Sequence, residues 1–378
     1  MERKIGAFSE SDLKELVKNG RLETLPGFKD AHVGPASIDI TLSSEAYRVE
    51  KLMRPNGVRA ECVRDMLKGL GARRIDIGSV LEPKGRYLAK ASINVNFSAG
   101  LYAYANAKST SGRNFLLVRT LVDQIGAYDT LDKRRVGWSG EVWLSLEPLV
   151  FPIILTDEQC YAQVRVFDGD TRIKSEEALH RLLAKEDLVY RQDGSRYKQG
   201  ELSLSQEDGS VLCTLYAKAG KLAGFRARNP GTPLDLCAKG LDPRLYFEPV
   251  YAEVDPCSSD GGCITIEPGW FYLLSTNEML KVPDDMCAEL RALDTRLGIF
   301  FSHFAGFFDP GFFGVPTLEV ATILPTTLRH KQEVASFMFE HMRSPTTSYA
   351  KVGNYQQQRR TTLPKQFSMP NEWKREME

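Results

Sequence analysis

LEPKGRYLAKASINVNF, residues 81–97, decides the fold. A polar, proline-containing turn leads into a run where apolar and polar residues alternate, the period-2 signature of a strand with one packed face. A related stretch, IEPGWFYL, recurs at 266–273. Tyr87 and Tyr272 lie 185 positions apart, and the same two landmarks follow each of them. The first is a polar turn ending in arginine, KSTSGR at 108–113 and ALDTR at 292–296, with Arg113 and Arg296 183 apart. The second is a glycine-aromatic turn, GWSG at 137–140 and GFFG at 311–314, each opening another strand-like run. Three landmarks at one approximate period indicate an internal repeat. The expected organisation is two homologous domains, 1–167 and 168–342, and a polar tail, 343–378.

Short β-type runs fill the rest: GSVLEP, GLYAYANA, GEVWLSLEP and FPIILT, separated by Gly, Pro, Asn and Asp. Such spacing predicts a mainly β protein, an antiparallel sandwich or jelly-roll-like barrel in each repeat. Few helices are expected: 9–19, 175–186 with Ser175 as its cap, and 328–334. The hydrophilic stretch 190–210 reads as a surface hairpin or an insertion.

The chain has 378 residues, with 49 Lys plus Arg against 49 Asp plus Glu, so its formal net charge is zero. Duplex binders carry a basic excess that neutralises phosphates, so no nucleic-acid partner is expected. A small anionic ligand needs only a local cluster of cations. No apolar run approaches the roughly 20 residues that span a bilayer, and MERKIGAFSESDLKEL has no signal-peptide core. The seven cysteines are odd in number and scattered, which fits free thiols in a reducing cytoplasm.

GPASIDITLSSEAYRV (34–49), KSTSGR, GWSG and DPGFFGVPTLEV (309–320) together resemble the dCTP deaminase branch of the dUTPase superfamily. GFRARN (224–229), DPRLYFEPV (242–250), DTRLG (294–298), HFAGFFDPGF (303–312) and GNYQQQ (353–358) are similar to its long, two-repeat bacterial form. The resemblance implies two distorted jelly-roll domains, a homotrimer, and active sites shared between neighbouring domains. It implies hydrolysis of dCTP to dUTP and ammonia, supplying dUTP for thymidylate synthesis, with dUTP and dTTP as further ligands. Zinc deaminases use H-x-E with P-C-x-x-C, and neither string occurs here. The chemistry is therefore expected to need no cofactor, with Mg²⁺ bound only through the triphosphate.

Lys108-Ser109-Thr110-Ser111-Gly112-Arg113 offers three hydroxyls and two cations on one turn, the groups a triphosphate requires. The bland reading is a Ser/Thr-rich surface turn. By resemblance, Ser109 also holds the attacking water and Arg113 reaches the phosphates or the leaving-group side, while Lys108, Thr110, Ser111 and Arg296 bind substrate. In DPGFFGVPTLEV, Thr317 and Glu319 share one strand face. Glu319 is either an edge-strand residue facing water or the general base that takes a proton from water. By resemblance, Asp309 contacts the deoxyribose, Ala305 lies in the base-reading hairpin, and Thr317 and Leu318 line the substrate. Tyr349, Tyr355 and Gln358 fold over the nucleotide; otherwise the tail is a polar terminus that buries little apolar surface.

Two positions depart from the pattern. Ser145 stands in the first repeat where the glutamate is expected, with Glu147 on the same strand face as an alternative. In the second repeat Ala292 replaces the turn hydroxyl and Asp294 adds a negative charge. One repeat thus keeps the phosphate turn and the other keeps the base, which favours a site pairing unlike repeats. Two other functions compete: a dUTP pyrophosphatase or bifunctional enzyme with Asp309 orienting water, and a catalytically silent nucleotide-binding protein.

Overall fold

The computed structural model describes residues 4–198, 200–258, 261–293, 305–349, 353 and 355–377. The chain divides into two compact units. The first comprises Met1–Thr171, Gly231–Ala238 and His341–Thr347; the second comprises Arg172–Pro230, Lys239–Glu340 and Ser348–Glu378. Each is mainly β, and their strand ladders are antiparallel. Among the described residues no helix is long and apolar enough to cross a membrane.

In the first unit the Tyr87–Phe97 strand is the hub. It pairs with Leu22–Thr24, Leu42–Arg48 and Trp138–Pro148, and the last of these pairs in turn with Leu116–Val122. A second sheet runs Ile38–Ile40, Ala162–Phe167, Tyr102–Ala107, Thr130–Leu131. The alternation seen in sequence does not become one-sided burial: Tyr87–Ile93 is buried on both faces, Lys90 and Ser92 included, and only the end of the strand alternates, with Ile93, Val95 and Phe97 buried and Asn96 exposed. Two distant segments complete this unit. Leu234 N donates to Pro152 O at 2.8 Å, and Ala7 N donates to His341 O at 3.0 Å.

The second unit repeats the plan. Its sheet runs Phe247–Tyr251, Leu222–Ala227, Tyr272–Ser275, Thr317–Val320, and a second runs Val211–Thr214, Glu333–His341, Met286–Ala292, Phe307–Phe308. The equivalence reaches single atoms. Tyr87 Oη accepts from Glu82 N at 2.8 Å, and Tyr272 Oη accepts from Glu267 N at 3.2 Å. Tyr87 pairs with Leu146, and Tyr272 with Val320. Gly137 and Gly311 both sit in the left-handed region, φ +79° and +80°, where a side chain is strained. At Gly311 a Cβ would also collide with the Ser348 hydroxyl.

The helices at Glu10–Lys18 and Glu176–Leu183 form as expected, capped by Ser9 and Ser175. The one expected at 328–334 does not. Leu328 instead pairs with Ile264 inside the Thr326–Arg329 strand, and Lys331 at φ +64° turns the chain into Glu333–His341. Tertiary pairing overrides the local pattern there. Residues 190–196 form a hairpin, Arg191 N donating to Ser195 O at 2.7 Å.

The tail is not a polar appendage. Leu363, Phe367 and Trp373 are buried in the second unit. Phe367 packs against Tyr246 and Phe247, and Trp373, on the Asn371–Met377 helix, packs against Phe225 at 5.2 Å.

Candidate active site

The Thr317–Val320 strand pairs with Tyr272–Ser275, placing Glu319 opposite Leu273 and Thr317 opposite Ser275. Phe225 lies opposite Leu273 on the next strand, so Glu319, Leu273 and Phe225 form one row across the sheet. Glu319 is only 2% exposed. A water-facing edge glutamate is thereby ruled out, because burying a carboxylate is costly without compensating interactions. Thr317 Oγ1, on the same face, is buried with no hydrogen-bond partner among the described residues. Leu318 points the other way, into the hydrophobic core of the unit, so its side chain is spent on packing. Ala305 is half-buried, and Asp309 O accepts from Phe312 N at 3.1 Å, closing the turn that feeds the strand.

The tail docks on this same segment. Gln357 N donates to Phe313 O at 2.7 Å, and Val315 N donates to Gln358 O at 2.8 Å. The Gln358 side-chain amide also donates to Val315 O. Tyr349 N donates to Pro310 O at 2.7 Å, and Tyr355 N donates to Tyr349 Oη at 3.4 Å. Tail residues expected to contact substrate are here engaged with the chain that carries Glu319.

In the first unit KSTSGR is a one-turn helix, Ser109–Arg113, rather than an exposed turn. Thr110, Ser111 and Arg113 are buried, while Lys108 and Ser109 are half-buried. The Ser111 hydroxyl donates to Tyr161 O at 2.9 Å, and Lys108 Nζ lies 2.7 Å from Asp39 Oδ1. Ser111 is therefore spent on structure and Lys108 already has a counter-charge.

The first unit shows what stands at the position equivalent to Glu319. Ser145 lies opposite Leu88 as Glu319 lies opposite Leu273, and its hydroxyl is buried with no partner among the described residues. Trp143 takes the place of Thr317 and Lys90 that of Ser275. The Trp143 indole packs with Val49, Val63, Leu70, Leu88 and Leu121, filling the face that carries Glu319 in the other repeat. Trp143 Nε1 donates to Glu141 at 3.0 Å. Burial lowers the Lys90 ammonium to about 8, against the pull of the Glu141 and Asp123 charges. Glu147 is half-buried, and burial pushes its carboxyl up.

In the second unit Arg291 pairs with Asp208, and Ala292 is exposed. Asp294 and Arg296 lie outside the described residues. Sequence reasoning missed Ser275 and Leu273, whose places beside Thr317 and Glu319 follow only from strand register. Among the described residues no three His, Cys, Asp or Glu side chains cluster closely enough to hold a metal ion.

Residues 4–170 match the family model for the 2′-deoxycytidine 5′-triphosphate deaminase N-terminal domain, and residues 175–367 match that for its C-terminal domain. A Methanothermobacter thermautotrophicus protein named "dCTP deaminase, dUMP-forming" is 39% identical over 130 residues, which is 32% of this chain and 59% of that protein. A Methanobrevibacter smithii protein of the same name is 39% identical over 90 residues, 23% of this chain and 46% of its own length. A Nocardioides relative, also so named, is 31% identical over 170 residues, 38% of this chain and 89% of its own. The crystal structure of 2′-deoxycytidine 5′-triphosphate deaminase from Agrobacterium tumefaciens superposes with a TM-score of 0.80 at 26% identity, covering 91% of this chain and 97% of that one.

Proposed function

This chain belongs to the dCTP deaminase family, and from that premise we propose that it converts dCTP and water to dUTP and ammonia, with Glu319 as the base. The observation that carries the reading is the buried Glu319 carboxylate sharing a sheet face with a Thr317 hydroxyl that lacks a partner among the described residues. A positioned carboxylate can accept a proton from water while the water oxygen bonds to C4 of cytosine. That proton passes to N3. The second water proton moves from the new C4 hydroxyl through the carboxylate to N4, the C4–N4 bond breaks, and ammonia leaves a C4 carbonyl. Ser109, Thr110 and Arg113 hold the triphosphate in this proposal, their turn supplied by the same or a neighbouring chain. A Mg²⁺ ion would be held through the triphosphate oxygens, where it would neutralise part of their charge. Lys108 and Ser111 act one step back, keeping the turn in shape through Asp39 and Tyr161.

A second reading continues to dUMP and pyrophosphate, with Asp309 orienting a water toward the α-phosphate. It is favoured by the dUMP-forming names of the relatives. Incubation with dCTP, resolving ammonia, dUTP, dUMP and pyrophosphate, tests both. Ammonia with dUTP supports the first and ammonia with dUMP the second. Unchanged dCTP defeats both.

A further inference from the structure

Around Tyr216, in the second unit, four basic side chains converge. The Arg360 guanidinium stacks on the Tyr216 ring, 3.7 Å from its centroid, and Lys218 Nζ lies 6.0 Å from the same centroid. The His330 ring meets Tyr216 edge-on at 5.8 Å, and Lys331 follows His330 in the chain. Among the described residues none of Lys218, Lys331 and Arg360 is ion-paired to a carboxylate. Burial first, then the Lys331 and Lys218 charges, hold the His330 imidazole below its ordinary pKa. Ala217 N donates to His330 Nδ1 at 3.1 Å, which leaves the ring proton on Nε2 as a further donor.

Tyr216, Lys218, His330 and Lys331 line a cavity of about 610 Å³, within the range of small-molecule sites, and Arg360 joins them through its stack on the Tyr216 ring. Tyr197, with Arg191 stacked on it at 4.3 Å, forms another part of the wall. Each acid on the cavity is bonded to a group of its own, and of the three only Glu201 is ion-paired with a cation. Glu278 accepts from Thr214 N and Oγ1, both at 2.7 Å, Glu201 pairs with Arg191 at 2.9 Å, and Asp193 accepts from Ser195 N at 2.8 Å. Gathering unpaired cations costs free energy that a bound polyanion offsets. Neither Thr317 nor Glu319 lines the cavity.

We propose that Lys218, His330, Lys331 and Arg360, with the adjoining cavity, form a second binding site that takes the polyphosphate of a phosphorylated ligand, apart from the base pocket. Arg360 lies two residues past Gln358, which clasps Val315 just ahead of Glu319. An occupant that engages Arg360 therefore also holds the tail against the strand that carries the base.

Calorimetric titration of the full chain with inorganic tripolyphosphate tests the site. The proteins are wild type, Arg113→Ala, Lys218→Ala/Lys331→Ala and the triple variant, each checked for an unchanged thermal melt. Removing Arg113 isolates this site from the 108–113 turn. The Arg113→Ala protein should still bind, and adding the two lysine substitutions should weaken that binding by about tenfold or more, as expected for charge-assisted contacts. Loss of all binding in Arg113→Ala overturns the proposal, as does a triple variant that binds as Arg113→Ala does. If Arg113→Ala binds as wild type does while the lysine variant does not bind, the phosphate role of the turn fails and this site stands. ATP in place of tripolyphosphate separates the sources: tighter binding of ATP places a base in the cavity, and equal affinity assigns the site to the polyphosphate alone.

Discussion

At the scale of single residues, catalysis should depend on one carboxylate and be indifferent to its counterpart. Glu319→Gln keeps shape and one acceptor but cannot take a proton at neutral pH. Its ammonia release should fall by about 10²–10⁴, with dCTP affinity by calorimetry preserved. Ser145→Ala and Glu147→Gln should leave turnover within about twofold, since no general base is lost from the competent face. An active Glu319→Gln enzyme, or one silenced only at Glu147, would put the chemistry in the other repeat. The Ser145 substitution was legible from the GWSG and GFFG landmarks alone. That Trp143 fills this face was not, because packing partners 22 to 94 positions away are fixed only by strand register. Lys90 gives a second test. The unfolded chain holds this proton more tightly than the folded one, whose ammonium sits at about 8. Stability should therefore rise with pH between about 8 and about 10.5, by about 3 kcal/mol in all. Urea unfolding of wild type and Lys90→Met across that window measures it; equal slopes in the two proteins would refute the assignment.

Among the elements, the tail departs most from what its composition suggests. Its run of Gln, Arg, Thr and Lys hides three apolar anchors, Leu363, Phe367 and Trp373. Trp373→Ala should cost about 3 kcal/mol, the scale of a large core truncation, read as a lower urea midpoint. A chain ending at Thr347 should lose more, and also lose kcat and raise KM, as removal of a covering segment does. A truncated protein that melts like the full chain would show the anchors to be idle. Both capped helices were legible, with Ser175 read as a cap because a cap is local, while the cap at Ser9 is a finding of the structure. The strand pair around Lys331 was misread because Ile264, the partner that decides it, lies 64 positions before Leu328.

Across the whole molecule, light scattering should report three times the 42.4 kDa chain mass, as the proposed trimer requires; a fully active species of one chain mass would remove it. The repeated landmarks were legible because they recur in one order, at offsets of 185, 183 and 174 positions. The first unit's use of two later segments was not, because nothing in residues 231–238 or 341–347 announces a partner so far upstream. That borrowing has a consequence for birth of the protein. A ribosome that has delivered residue 171 has supplied most of the first unit but neither Leu234 for Pro152 and Ile154 nor His341 for Ala7. At roughly 5–20 residues per second, another 9–35 s or so pass before residue 347 emerges. The first unit must wait, incomplete, while the second is being made. A fragment ending at Thr171 should accordingly be far less soluble than the full chain and regain solubility when 172–378 is co-expressed, which pellet-to-supernatant ratios after lysis would show.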